Sequence, residues 1–298
     1  MPSDFTVTGA HRGTPLHPVC LLDGFKKGQT MASAQTQARK INWRSIALPA
    51  EHGGWSLILE PIVLGLILAP SWIALSLSIA MMAVFLSHQP VKISLKAYRT
   101  GKWTERSRFA LYFAAGYLLG GGLFAIPALL QSNSNFWLII ALIVPFALIQ
   151  AFQDFQNQSR SATAEITGAI ALSGTVALLL VLSDWQLTIA LPIWFVIALR
   201  AVTSILYVRT FFRKQRGKDN SVSASYVMHI IVMIIVMGLA FAGFLPYLTV
   251  VPFVILLIRA VHGLQSDKQV KPQIIGIREV MVGILTVACI ASGFIFNL

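Results

Sequence analysis

Ionisable residues recur at helical spacing inside apolar stretches of this sequence. In "ALPAEHGGWSLILEPIVLG", Ala47 to Gly65, His52, Ser56 and Glu60 stand at i, i+4 and i+8 and so share one helical face. Glu51 and His52 lie at the mouth of the stretch. Glu60 then sits roughly 12–16 Å inside, at 1.5 Å per residue. A second stripe, Arg200, Thr203, Ser204 and Tyr207, follows i, i+3, i+4 and i+7. Arg200 lies roughly 14 Å from the end of its segment near Arg209. Glu60 and Arg200 thus share a depth and are expected to form a buried ion pair or to line one cavity. Such a pair can also serve only to lock two helices, because desolvation offsets its attraction. A third stripe, Gln150, Gln153, Asp154 and Asn157, runs into "QSRSATAE", with Arg160 and Glu165. The plainer reading of this one is a solvated helix end. Glu165 suits the start of a helix dipole, and Ser161 or Thr163 could cap it.

The chemistry these residues could do is that of a polar head group held at the edge of lipid. An ionisable side chain within a bilayer is costly and faces the bundle interior or a wet cavity. His52 and Glu60 are the acid–base candidates, because an imidazole titrates near neutrality. Glu51, Asp154, Arg160, Glu165, Arg200, Tyr207 and Arg209 are the candidate binding residues, with Arg200 and Arg209 expected to hold an anionic head. His88, Lys92, Lys96 and Arg99, at i, i+4, i+8 and i+11, would form one basic face if helical. That face could rest on lipid headgroups or grip phosphate or carboxylate. His229 stands alone and reads as a hydrogen-bonded interior residue. The glycines of "GYLLGGG" and "GAIALSG" read as close helix packing, since no strand precedes them as a phosphate loop requires.

The elements that must position these groups are membrane helices. The chain has 298 residues, is 56% hydrophobic and only 11% charged, where a soluble domain carries about 25% charged residues. Its mean hydropathy is +0.73. Nine apolar segments are expected near 52–69, 72–88, 109–130, 136–153, 162–182, 186–208, 225–243, 246–263 and 277–297. The first is short and looks interrupted at Pro61, and Pro90 is expected to end the second. Counting Arg259 and Arg278, near the facing ends of the eighth and ninth segments, with the connection between them, all but one of the 23 Lys and Arg residues belong before the first segment or to the connections after the second, fourth, sixth and eighth. The exception is Arg200. Positive charge marks the cytoplasmic side. The expected fold is therefore all-α, a polytopic bundle of about nine transmembrane helices, N-terminus cytoplasmic and C-terminus outside, over residues 41–298. Residues 1–40 lack helical or strand period and are expected to be a disordered segment, with Met31 an alternative start.

The net charge of +12 is then mostly a topology signal, and a nucleic-acid partner is not expected. Cys20 and Cys289 are far apart and read as free thiols, and no metal or other cofactor is evident. The expected partners are the bilayer and an amphipathic lipid, and the expected location is a bacterial inner membrane.

Three blocks carry a resemblance. "PAEHGGWSLILEP", Pro49 to Pro61, is similar to the opening signature of the YwiC-like family of bacterial membrane proteins. "RSATAEITGAIALSG", Arg160 to Gly174, and "LRAVTSILYVR", Leu199 to Arg209, resemble its next two blocks. The resemblance implies a membrane topology but no reaction. The nine-helix layout also resembles UbiA-type intramembrane prenyltransferases, which hold magnesium and a prenyl diphosphate on two Asp-rich motifs. The matching stretches here, "SHQPVKISLKAYRTGKWTERSR" and "RTFFRKQRGKDNSVS", contain neither motif, and Asp219 stands alone. A magnesium bridge to diphosphate would lack its carboxylate ligands.

The expectation is a pocket open to the cytoplasm that binds or modifies an amphipathic lipid, isoprenoid or quinone-like. The alternative is a transporter or channel for a small anion or proton-coupled solute. Few polar residues continue outward in "VLGLILA" or "LLLVLS", which favours the one-sided pocket. A structural role without substrate is the third possibility.

Overall fold

Among the described residues, serine, threonine or asparagine side chains cap the starts of four helices, where N–H groups lack helical partners. Ser71 accepts from the N–H of Ala74 at 3.0 Å. Thr104 and Ser107 form a reciprocal capping box. Asn133 accepts from Phe136 at 2.9 Å, and Ser161 from Ala164 at 3.1 Å. Gly101, at φ 65°, closes one helix in the left-handed conformation.

The computed structural model describes residues 43–48, 54–217, 222–266 and 269–297. Residues 1–40, Glu51 and His52 lie outside them. The described chain forms α1 (Arg44–Ala47), α2 (Gly54–Leu68), α3 (Trp72–Thr100), α4 (Glu105–Leu130), α5 (Ser134–Phe155), α6 (Ala162–Ser173), α7 (Thr175–Val181), α8 (Leu187–Gln215), α9 (Val222–Phe241), α10 (Val250–Gln265) and α11 (Pro272–Phe296). A 3-10 turn, Tyr247–Thr249, leads into α10. Taking α6–α7 as one span and the 3-10 turn with α10, eight helices among the described residues are long and apolar enough to cross a membrane. This is the architecture of a multi-pass membrane protein. The remaining apolar helix, α2, has 15 residues, about 22 Å, against a hydrocarbon core of about 30 Å.

All nine expected segments are helical in their described residues, but two local expectations were wrong. Pro90 does not end α3, which runs on to Thr100. Proline removes one backbone donor and clashes with the preceding turn, yet a transmembrane helix tolerates it where neighbouring elements support the chain. Lys92, Lys96 and Arg99 are therefore helical. Pro61 likewise lies inside a continuous α2. The break falls instead in the fifth segment, at Gly174, between α6 and α7. A Cβ there would overlap Ile143 of α5.

The centre is α7, every residue of which is buried. Leu179 packs onto α2 at Gly65, where a Cβ would come within 2.5 Å of it. α3 and α4 pack together at Gly121, whose Cβ would lie 3.0 Å from Ala83. Gly116, Gly120 and Gly122 face open space, so only one glycine of that run makes the expected close approach. Gly168 does so against Gln150. On α4 and α5, large apolar side chains such as Leu119, Leu123, Leu130 and Leu148 are exposed, as a lipid-facing surface requires.

Side-chain bonds tie the connections together at two ends. At the basic end Arg99 donates to Phe155 O, and its guanidinium lies 4.7 Å from the Phe155 ring centre. Lys214 donates to Leu264 O at 2.8 Å. At the opposite end Asn133 donates to Val181 O at 3.1 Å, and Trp185 meets Phe294 edge-on at 5.8 Å.

Candidate functional site

Four charged side chains from four helices meet inside the bundle. Glu60 comes from α2, Arg200 from α8, Arg259 from α10 and Glu279 from α11. The expected ion pair forms, with Arg200 Nη1 2.7 Å from Glu60 Oε1. Arg200 is 1% exposed and Glu60 6%. Nη2 of Arg200 donates to the backbone carbonyl of Glu279 at 2.7 Å and lies 4.0 Å from its Oε2. Arg259 Nη1 donates to Glu279 Oε1. The Arg259 guanidinium also sits 4.3 Å above the ring of Tyr207, a cation–π contact strengthened by desolvation. Two arginines and two glutamates leave the quartet formally neutral. That balance is how charges become tolerable in a low-dielectric interior.

Two glycines admit these contacts. Arg259 is followed one turn later by Gly263, and Glu279 by Gly283. A Cβ on Gly263 would overlap the Tyr207 hydroxyl, and one on Gly283 would overlap the Glu60 carboxylate. Each glycine leaves its helix without a side chain where a partner's polar group must enter.

Several buried polar atoms of the quartet and its surroundings make no hydrogen bond within the described protein. They are Arg200 Nε, Arg259 Nε and Nη2, Glu279 Oε2, Ser204 Oγ, Ser225 Oγ and His229 Nε2. Glu60 Oε1 joins them on alignment, although its 2.7 Å approach to Arg200 is an ion pair. His229 is 3% exposed and is hydrogen-bonded through Nδ1 to Ser225 O at 2.7 Å, as its isolated position implied. Unpaired buried polar atoms are rare and costly. The quartet lies between two apolar clusters of unequal thickness. Toward the opposite end stand Leu64, Leu178, Leu179, Ile193, Ile197 and Ile290, each no more than 2% exposed. Toward the basic end stands a thin cluster of Tyr207, Phe211, Ala260, Leu264 and Ile275.

Among the described residues, the other nominated ones, Asp154, Arg160, Glu165 and Arg209, lie at the basic end, while Glu51 and His52 fall outside the described residues. Arg209 Nη1 lies 2.7 Å from Glu165 Oε2 and 3.1 Å from Arg160 O. Asp154 Oδ2 lies 2.6 Å from His88 Nε2. The nominated residues thus form three bonded groups: Glu60 with Arg200, and Tyr207 through Arg259; Arg160, Glu165 and Arg209; and Asp154 with His88. Ser161, not Thr163, caps α6. Substituting Arg209→Gln should change stability by no more than about 1 kcal/mol, because a pair this exposed is weak. Denaturant unfolding of the purified protein measures it.

Sequence reasoning missed Arg259 and Glu279. Arg259 was counted with the charges of a connection, yet it belongs to α10, and its side chain is 13% exposed. The signal was present: each charge sits in an apolar run and precedes a glycine by four residues, in "RAVHG" and "EVMVG".

Residues 48–180 match the family model described as YwiC-like protein. The match includes Glu60 and stops before Arg200, Arg259 and Glu279. No curated protein matches the chain. No solved structure matches it.

Proposed function

Taking residues 48–180 as the YwiC-like part of a multi-pass membrane protein, we propose that the chain binds the head group of an amphipathic lipid at the Glu60–Arg200–Arg259–Glu279 quartet. The observation that carries this reading is the set of unpaired polar atoms around a charge-balanced centre. Arg200 is already matched by Glu60, so a free anion gains little there. The open positions are donors on Arg200 and Arg259, an acceptor on Glu279, and the hydroxyls of Ser204 and Ser225. This set suits an uncharged head that both gives and takes hydrogen bonds, such as a quinone or an isoprenoid alcohol. The basic end is read as cytoplasmic. Entry from the basic end requires the buried Tyr207 and Phe211 side chains to move aside, and the apolar tail extends toward lipid. Whether the bound lipid is modified turns on Glu60 and on His52, which lies outside the described residues.

Mass spectrometry of lipids co-purified with the protein tests the reading. One lipid class should be enriched over the bulk membrane, and Ser204→Ala and Glu60→Gln should deplete it. Ser204→Ala leaves the ion pairs intact, so its effect does not depend on their contribution to folding. Bulk lipid alone, in wild type and variants alike, overturns the proposal.

The charge balance itself favours one second reading. Protonation of Glu60 would release Arg200 to take an anion, which is the requirement of a proton-coupled carrier. Solute movement by lipid-free protein in vesicles, abolished by Glu60→Gln, would select it over lipid binding.

A further inference from the structure

An open groove of about 610 Å³ lies at the basic end, between the C-terminal half of α3 and the turn before α6. Lys92 and Lys96 line one side, and the turn 157–161, which includes Arg160, lines the other. Lys92 and Lys96 are one helical turn apart on a continuous α3, so both ammonium groups reach the same space. The turn opposite them is fixed by its own bonds. Gln158 N–H donates to Gln153 O at 2.8 Å, and Ser161 N–H donates to Gln158 O at 2.8 Å. Arg209 holds it from α8 by the Arg160 carbonyl, and Arg99 of α3 holds the end of α5 just before it by the Phe155 carbonyl.

Charge in this groove is one-sided. The two nearby carboxylates are committed elsewhere, Asp154 to His88 and Glu165 to Arg209. Among the described residues, Lys92, Lys96 and Arg160 have no carboxylate partner. Asn157, Gln158 and Ser159 add neutral polar groups, and α6 begins alongside at Ala162 with the positive end of its dipole. Three unmatched cations around a preformed polar concavity are a receptor for a compact, multiply charged anion.

We infer that this groove binds a phosphate group, carried either by a phospholipid or by a soluble phosphate compound. The site is separate from the buried quartet and stands whether or not that quartet binds lipid. Both sources offer the same chemistry: several charged oxygens bonded at once by two ammonium groups and a guanidinium. A lipid source is served by a second groove, of about 430 Å³, on a neighbouring face of α3. It is lined mainly by apolar side chains, among them Val91, Leu95, Trp103 and Leu118.

The test uses the full chain in neutral detergent, titrated separately with inorganic phosphate and with short-chain phosphatidic acid. Thermal unfolding and direct calorimetry read the binding. At least one probe should bind, with affinity falling as salt rises. Lys92→Gln/Lys96→Gln and, separately, Arg160→Gln should each weaken it by about tenfold or more. Lys102→Gln, an exposed basic residue outside the groove, should leave it unchanged. Binding of inorganic phosphate identifies a soluble source, and binding of phosphatidic acid alone identifies a headgroup. Binding of neither, or binding that Lys102→Gln weakens as much as the groove substitutions do, overturns the inference.

Discussion

Arg200→Met will destabilise the protein by about 3–5 kcal/mol, because it strands a buried carboxylate without its partner. Glu60 stays in the bundle at 6% exposure, and Glu279 loses the donor on its backbone carbonyl. The informative measurement is the double variant. Glu60→Leu/Arg200→Met removes one charge of each sign, leaving Arg259 and Glu279 still paired. It should therefore be more stable than the sum of the two single losses, by about 1–3 kcal/mol of coupling. Denaturant midpoints of the purified variants, with wild type in parallel, give all the values needed. Additive losses would mean that the two side chains act independently, and the quartet would have no energetic reality.

Gly283→Ala is expected to be the most damaging single methyl addition in α11. The new Cβ would occupy the place of the Glu60 carboxylate. Overpacking of this kind costs about 1–3 kcal/mol, and displacing the carboxylate adds the loss of its pairing with Arg200. In the Gly283→Ala background, Glu60→Asp should recover part of the stability, since it retracts the carboxylate by one methylene. In the wild-type background the same change should destabilise. Gly122→Ala serves as the control, because open space surrounds that position, and it should be neutral or stabilising by up to about 1 kcal/mol. Equal losses at Gly283 and Gly122 would show that helix backbone effects, and not contact with Glu60, set the cost.

Most of the helical layout was legible because a bilayer leaves few alternatives. Backbone groups in hydrocarbon must bond within their own helix, so long apolar runs fold as helices whatever their neighbours do. The alternation of basic and non-basic connections had the same clarity. Helix ends were less legible. Pro90 and Pro61 read as breakers from local rules, yet α2 and α3 run through them, as membrane helices can where the surroundings support the chain. At Gly174, where α6 gives way to α7, a Cβ would overlap Ile143 of α5, a close approach that periodicity along α6 and α7 does not reveal.

The sequence by itself determined that Glu60 and Arg200 share a depth, since helical rise converts residue number into height, and an ionisable group at that depth faces the interior. Their meeting was therefore foreseeable. What only the tertiary structure decided was the company they keep. Arg259 and Glu279 lie 59 and 79 residues beyond Arg200, and nothing local says that α10 and α11 turn those charges toward α2 and α8. The azimuth of a helix is set by packing against all its neighbours at once, as Gly263 against Tyr207 and Gly283 against Glu60 show. Pairing across helices also decided which cations stay unmatched: His88 took Asp154 and Arg209 took Glu165. Lys92, Lys96 and Arg160 were left as the positive groove because charge neutralisation acts through space, and chain position does not record it.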